Sequence, residues 1–194
     1  DTLAAGDTIA DVAVAAFGDG AAVATLSAVV EDPSKPQAKG ATITVRTYDK
    51  AGVVSATNTV STRALTVGGV ALASAEKAED GGAIAWVARE NGDPEVHVTR
   101  LDKRGKRTND IQLTQTKGDA TDVAIASTAG GWIVAWVDGR HGAGEVYATK
   151  VSYDLSRIAR EERVTSAPGD KSDVVLQKSE DGYWIAWSDR KSVV

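Results

Sequence analysis

The chain contains no cysteine and no methionine among its 194 residues. The absence of cysteine excludes disulfide bonds, thiolate metal sites and cysteine nucleophiles. Because methionine is missing even at position 1, we expect the chain to be a processed piece whose translation began upstream. There is also no run of about eighteen apolar residues, so the sequence predicts no transmembrane helix.

The chain has fewer basic than acidic residues. Lysine and arginine total 22 against 27 aspartate and glutamate residues, which gives a net charge of −5. Because no basic surface is available to neutralise phosphates, neither nucleic acid nor an anionic membrane is expected as a partner. The one basic cluster, at 103–107, lies where a solvated hairpin turn is expected.

What the sequence does contain is a repeat of about fifty residues. Trp86, Trp136 and Trp187 recur at spacings of 50 (136 − 86) and 51 (187 − 136), each at the end of an apolar run. Periods of this length with several short strands per unit are typical of propeller blades. The sequence therefore predicts an all-β fold, a β-propeller in which each period is one four-stranded blade.

The clearest unit predicts four strands separated by glycine-containing turns. These strands are expected at 122–126, 132–138, 145–153 and 161–165. The second strand is apolar on both faces, which indicates that neighbouring blades cover both sides of it.

The tryptophans that recur at equivalent positions are predicted to be buried packing anchors between blades. These are Trp86, Trp136 and Trp187. Trp132 and Tyr183 share another repeat position, where the second unit has a glycine, so partial exposure is expected there. An aromatic platform that stacks on a sugar is the alternative role for such residues.

The repeat predicts about three and a half blades, with further blades on another segment. The blades are expected near 11–62, 70–114 and 122–165, with a half blade at 173–194. Residues 2–7 align with 164–170, the tail of an outermost strand. Because this number of blades cannot close a ring, we expect a complementary polypeptide to carry the remaining blades.

Two symmetric copies would total about seven blades, which is within the range of known propellers. Each junction between the copies would lack its third strand, so a different segment fits the sequence better. Asp189-Arg190-Lys191 is a dibasic loop where a protease could nick a closed ring.

Two stretches carry a resemblance to a known type of protein. They are Gly-Trp-Ile-Val-Ala-Trp-Val-Asp-Gly-Arg-His-Gly at 131–142 and Tyr-Trp-Ile-Ala-Trp-Ser-Asp-Arg at 183–190. The pattern resembles the tandem propeller repeats of large secreted or surface proteins of myxobacteria and related bacteria. This resemblance implies an extracellular β-propeller, secreted or on the cell surface, and it implies no particular activity.

Aspartates recur just before the first strand of three units. They are Asp7, Asp11, Asp119, Asp122, Asp170 and Asp173. Local capping of turns through Asx-type hydrogen bonds explains such residues. The alternative is a ring of carboxylates on one rim that binds a basic ligand or a structural cation such as Ca²⁺. The candidate binding residues are therefore Asp119, Asp122, Asp170 and Asp173, and no other cofactor is predicted.

Other polar residues are predicted to be structural. Asp138 and Arg140, echoed by Asp189 and Arg190, are expected to brace a turn through an ion pair or Asx-type hydrogen bonds. The only two histidines have no third ligand at metal spacing, so no metal site is assigned.

The function that these patterns favour is a non-catalytic extracellular binding or scaffold module. Such a propeller would present a rim surface to a protein or glycan. The alternative is a propeller hydrolase or lyase of the glycosidase type, whose key residues would lie on the further blades. Glycosidases need a pair of carboxylates that flank the bond. No pair is singled out here, so no catalytic residue is assigned.

Overall fold

A computed structural model describes residues 7–29, 41–64, 66–89 and 92–190. Almost all of the regular structure in these ranges is β-strand, and the only helical segment in them is a short 3₁₀ turn at Ala78–Asp80. The all-β prediction is therefore confirmed. Within the same ranges, no helix has the length and apolarity needed to cross a membrane.

The strands form three four-stranded sheets and one hairpin, and each is an antiparallel meander in sequence order. The first sheet contains β1 (Asp7–Phe17), β2 (Gly20–Val29), β3 (Ala41–Tyr48) and β4 (Val54–Ala64). The second contains β5 (Thr66–Ser74), β6 (Gly82–Arg89), β7 (Glu95–Leu101) and β8 (Arg107–Gln112). The third contains β9 (Ala120–Thr128), β10 (Gly131–His141), β11 (Ala143–Ser152) and β12 (Glu162–Arg163). The hairpin contains β13 (Asp170–Lys178) and β14 (Tyr183–Arg190).

Consecutive sheets meet mainly along their first strands. β1 lies beside β5, β5 beside β9, and β9 beside β13, whereas the fourth strands β4 and β8 barely touch. No sheet closes on itself within the described ranges. The predicted strand tail at 2–6 and the dibasic residue Lys191 lie outside the described residues.

The strand β10 is buried on both faces, as its sequence predicts. Trp132, Val134 and Trp136 lie in an apolar cluster shared with the second sheet. Ala135 and Val137 lie in a different cluster, shared with the hairpin. We call the face of each sheet that is turned toward the preceding sheet its trailing face, and the opposite one its leading face.

At two of the buried interfaces, a tryptophan lies against alanines of the neighbouring sheet. In the cluster between the first and second sheets, Trp86 on a trailing face lies with Ala22 and Ala24 on a leading face. In the next cluster, Trp136 on a trailing face lies with Ala83 and Ala85 on the leading face of the second sheet. Because interiors are close-packed, the large indole rings lie against small side chains, while the leading face of the first sheet also carries the larger Leu26 and Ile43.

Two tryptophans differ from expectation. Trp132, expected to be partly exposed, is fully buried, and its indole nitrogen donates to the carbonyl oxygen of Ser74 at 3.4 Å. Trp187, expected to be a buried anchor, is 38% exposed.

The difference has a physical cause in the third strand of each sheet. The rings of Trp86 and Trp136 stack on His97 and Tyr147, which lie directly opposite on β7 and β11. In the described structure β14 pairs only with β13, so Trp187 has no such ring beside it.

The turns between third and fourth strands share one backbone conformation. In the second sheet, the Asp102 carboxylate accepts hydrogen bonds from the backbone N–H groups of Arg104 and Lys106, and Gly105 has φ 72°. In the third sheet, the residue at the glycine position is Leu155, with φ 67° and a buried side chain. A leucine in this left-handed region is strained, and its burial in the core compensates for that strain.

Candidate functional site

The four candidate aspartates lie at or near the starts of β9 and β13. Asp119 directly precedes β9 and Asp122 lies within it, while Asp170 begins β13 and Asp173 lies three residues later. Each first strand contacts the first strand of a neighbouring sheet. These positions therefore place the carboxylates beside another sheet.

Two aspartates connect consecutive sheets through the backbone. One carboxylate oxygen of Asp11 accepts a hydrogen bond from the N–H of Val70 on β5 at 2.8 Å. Asp122 accepts one from the N–H of Asp173 on β13 at 3.1 Å. A carboxylate that accepts from a backbone N–H satisfies a donor that would otherwise face the inter-sheet boundary without a partner. These contacts cross between sheets, which local turn capping does not.

The second sheet lacks this contact because Gly69 stands at the corresponding position of β5. Gly69 has φ 64°, and a Cβ atom there would lie 3.4 Å from the backbone nitrogen of Val123 on β9. A side chain at this position would make only ordinary contact with β9, and the left-handed backbone there is one that glycine adopts without strain.

The other candidate aspartates also have partners within the protein. Asp119 lies 3.6 Å from the guanidinium of Arg89 on β6. Asp170 accepts a hydrogen bond from the N–H of Gly144 on β11 at 3.1 Å. A hydrogen bond from the Ser172 hydroxyl and, to a smaller extent, one from Ser188 lower the pKa of the Asp173 carboxyl.

The structure therefore brings Asp122 and Asp173 together and gives Asp119 and Asp170 separate partners. Within the described ranges, no three metal-ligating side chains form a group that could hold an ion. The binding role of these aspartates stays a prediction. The Asp7 side chain lies outside the described part of the chain.

The end of β10, next to the turn at Gly142, is braced by a buried ion pair, as the sequence predicts. Asp138 is fully buried, and its carboxylate accepts from the backbone N–H of Arg140 at 2.8 Å and from its guanidinium at 2.5 Å. Glu161 pairs with the other terminal nitrogen of Arg140. The hydrogen bond to Asp138 raises the pKa of Arg140 further above its ordinary value, although burial opposes this shift.

This ion pair stands beside an aromatic stack. The guanidinium carbon of Arg140 lies 4.2 Å from the centre of the Tyr147 ring, which stacks on Trp136. Burial raises the pKa of the Tyr147 hydroxyl. Because two carboxylates and a ring surround Arg140, its charge is committed to structure rather than to an external anion.

The corresponding residues of the hairpin, Asp189 and Arg190, do not form the predicted ion pair in the described structure. Asp189 lies 3.5 Å from the ammonium of Lys171, and no ion pair joins it to Arg190 in the described structure. The side chain of Lys171 is buried and also donates to the carbonyl oxygens of Ala167 and Gly169.

A second recurring arrangement, in which a glutamate and a threonine form hydrogen bonds at the start of the third strand, was not predicted from the sequence. Glu95 begins β7 and accepts from the hydroxyl of Thr114, which accepts from the backbone N–H of Val96 at 2.9 Å. Glu145 and Thr165 form the same arrangement around β11. The signal was available as a glutamate and a threonine 19 and 20 residues apart in successive repeats.

The Glu145 carboxyl is ionised in this arrangement. Burial alone would raise its pKa, but hydrogen bonds from Thr165 and Arg163 outweigh burial and lower it below the usual 4.5. The hydrogen bonds from Thr114 and Thr165 make each of these glutamates an acceptor that holds the segment after the fourth strand against the third strand.

Two adjoining clefts lie near the outer strands of the second and third sheets. The larger, of about 690 Å³, is lined by 112–116, Arg157, Arg160 and Glu161. The smaller, of about 440 Å³, is lined by Asp93, Glu95, His97 and several others. Gln112, Gln115 and Thr116 line both clefts. The lining offers amide, hydroxyl and charged groups at the surface, and no sequence motif marked it.

No protein-family model matches this chain, and no curated protein matches it in sequence.

Proposed function

We propose that this chain is a sector of an extracellular β-propeller that acts as a non-catalytic binding or scaffold module. The support for a propeller is threefold: meander sheets, first strands placed side by side, and strands such as β10 that are buried on both faces. The extracellular location comes from the resemblance of the repeats at 131–142 and 183–190 to secreted and surface proteins. A partner polypeptide completes the ring.

The pair of clefts carries the proposal that the module binds a ligand. Their common wall is polar, since Gln112, Gln115 and Thr116 supply two amides and a hydroxyl. Arg160 adds a positive charge to the larger cleft. Groups of this kind donate to and accept from sugar hydroxyls or a peptide backbone. A glycan or an extended peptide is therefore the proposed ligand.

The carboxylates of the clefts favour binding over hydrolysis. Glu95 accepts from Thr114 and from the N–H of Thr116, while Glu161 pairs with Arg140. A glycosidase needs a pair of carboxyls that flank the bond to be cleaved. Glu95 and Glu161 are instead held by partners within the protein.

Glycan and peptide arrays test this function. The wild-type protein is compared with a Gln115→Ala/Arg160→Ala variant, and Lys50→Ala in an exposed turn of the first sheet serves as the control. We expect the wild type and the control to bind a subset of ligands and the cleft variant to lose this binding. Equal binding by the cleft variant would exclude the cleft, and turnover of chromogenic glycosides would establish the hydrolase alternative.

A further inference from the structure

The larger cleft lies between the second and third sheets, and each sheet supplies one wall. The segment 112–116, at and after the end of β8, forms the wall of the second sheet, and the segment 157–161, between β11 and β12, forms the wall of the third. Its volume of about 690 Å³ is that of a pocket for a small ligand. Leu113, the one apolar side chain among its described lining residues, is buried, so a ligand here meets mainly polar groups.

Hydrogen bonds between the two walls fix the shape of the larger cleft. The guanidinium of Arg157, on the wall of the third sheet, donates to the carbonyl oxygen of Leu113 on the wall of the second. In the other direction, the hydroxyl of Thr116 lies 3.3 Å from the carboxylate of Asp138 on β10 and donates to it. Because the walls are held in place before a ligand arrives, little conformational freedom is lost on binding, which favours affinity.

The larger cleft has a surplus of positive charge in a chain whose net charge is −5. Its charged lining residues are Arg157, Arg160 and Glu161. Glu161 is already neutralised by its ion pair with Arg140, and Arg157 donates only to a neutral carbonyl. Arg160 is exposed and makes no hydrogen bond or ion pair in the described part of the chain. A free guanidinium presents parallel N–H donors whose spacing matches the two oxygens of a carboxylate.

The adjoining smaller cleft has charge of the opposite sign. Asp93 and Glu95 line it, and none of its described lining residues is a lysine or an arginine. Both carboxylates accept hydrogen bonds from backbone N–H groups, Asp93 from Gly118 at 3.0 Å and Glu95 from Thr116 at 2.8 Å. A second carboxylate of a ligand would be repelled there. The two clefts together therefore fit a ligand with a single carboxylate at one end and uncharged polar groups at the other.

The uncharged groups that line both clefts favour a sugar over a peptide. The amide of Gln115 is exposed and has no hydrogen-bond partner among the described residues, so its donor and its acceptor are both available. Gln112 supplies a second amide. Neighbouring hydroxyls of a sugar match such pairs of donors and acceptors. Specific binding of an extended peptide needs pockets for its side chains, and the lining described above offers no apolar pocket.

We propose that the two clefts bind an acidic sugar, a uronic acid linked to a neutral sugar, with the carboxylate in the larger cleft. The inference rests on the proposed binding function and names the class of ligand. Arg160 pairs with the carboxylate directly, and the nitrogens of Arg157 that do not contact Leu113 supply further donors. The neutral sugar extends into the smaller cleft, where its hydroxyls meet Gln112 and Gln115.

Isothermal titration calorimetry of the whole chain tests this assignment. The probes are disaccharides of one uronic acid and one neutral sugar, their carboxyl-reduced counterparts and an acidic tetrapeptide. We expect at least one acidic disaccharide to bind, and reduction of its carboxyl group to weaken binding about tenfold, as loss of a hydrogen bond to a charged group does. Arg160→Gln should cause a similar loss, and Arg160→Lys a smaller one because the charge remains. Arg104→Gln is the matched control, since Arg104 is exposed in the turn at the other end of β8.

The outcomes separate this assignment from the proposed function. Equal affinity for the acidic and the reduced sugars would overturn the assignment, as would wild-type affinity in a folded Arg160→Gln variant or tighter binding of the peptide. Failure of every acidic disaccharide to bind would overturn it as well. If the arrays then show neutral glycans or peptides bound at the clefts, the proposed function stands without the assignment, whereas a wild type that binds nothing on the arrays contradicts both. Circular dichroism verifies that each variant is folded.

Discussion

Replacement of Trp136 by alanine should remove one of the largest buried contacts in the chain. Trp136 is fully buried, its ring stacks on Tyr147 at 6.0 Å between centroids, and its indole nitrogen donates to Asp138 at 3.4 Å. A tryptophan buries about 150–250 Å², which at about 25 cal/mol per Å² gives an upper estimate of about 4–6 kcal/mol. Partial collapse of the cavity reduces the expected loss to about 3–5 kcal/mol.

Urea unfolding followed by circular dichroism measures this loss as the change in the free energy of unfolding. Trp136→Phe is the matched variant, because it keeps an aromatic ring beside Tyr147 but loses the indole N–H. We expect it to cost less than half as much as alanine, since most of the contribution comes from packing. A loss below about 1 kcal/mol for Trp136→Ala would show that the ring is exposed, and the two-sided burial of β10 would be refuted.

Three further variants test separate parts of the structure. Leu155→Ala removes a buried side chain and keeps the strained positive φ, whereas Leu155→Gly removes the side chain and relieves the strain. The glycine variant should therefore be the less destabilised of the two by about 1 kcal/mol in urea unfolding. A more stable alanine variant would contradict the turn geometry. The lowered pKa of Glu145 contributes stability above pH 4.5 that is lost as the pH falls through the folded-state value. Glu145→Gln should therefore flatten the acid side of a curve of unfolding free energy against pH. An unchanged slope would argue against the hydrogen bonds from Thr165 and Arg163 to Glu145. Asp122→Ala should cost about 1 kcal/mol through loss of its bond to Asp173, and added Ca²⁺ should leave the melting temperature of the wild type unchanged; a clear rise with Ca²⁺ would support the carboxylate ring.

The strands and their two-sided burial could be predicted because they depend on local pattern. Trp132, Val134 and Trp136 alternate with the apolar residues Ile133, Ala135 and Val137, and this run, bounded by glycines, specifies a strand between two sheets. The ion pair of Asp138 and Arg140 was also predictable, since the two residues are only two positions apart in the sequence, next to the glycine-containing turn. Such features need no information about distant parts of the chain.

The exposure of individual tryptophans could not be predicted, because it depends on which neighbour lies beside them. Trp136 and Trp187 occupy the same repeat position, but within the described residues only Trp136 has a third strand with an aromatic ring next to it. The recurring aspartates were ambiguous for a similar reason. An acid before a strand caps a turn or reaches a neighbouring sheet, and only the spacing between sheets decides which.

The most direct test of the stacked arrangement is a disulfide between the first strands of two sheets. A Cβ atom at Gly69 would lie 3.5 Å from Cγ1 of Val123 on β9, so the side chains at these two positions point toward each other, as a disulfide requires. The chain has no native cysteine, so a Gly69→Cys/Val123→Cys variant can form only this bond within one molecule. Our account predicts efficient crosslinking under mild oxidation of the folded protein and none for Gly69→Cys/Val175→Cys, because Val175 is on the exposed leading face of the hairpin. Failure of the first pair to crosslink, or equal crosslinking of both pairs, would contradict the stacking of the sheets along their first strands.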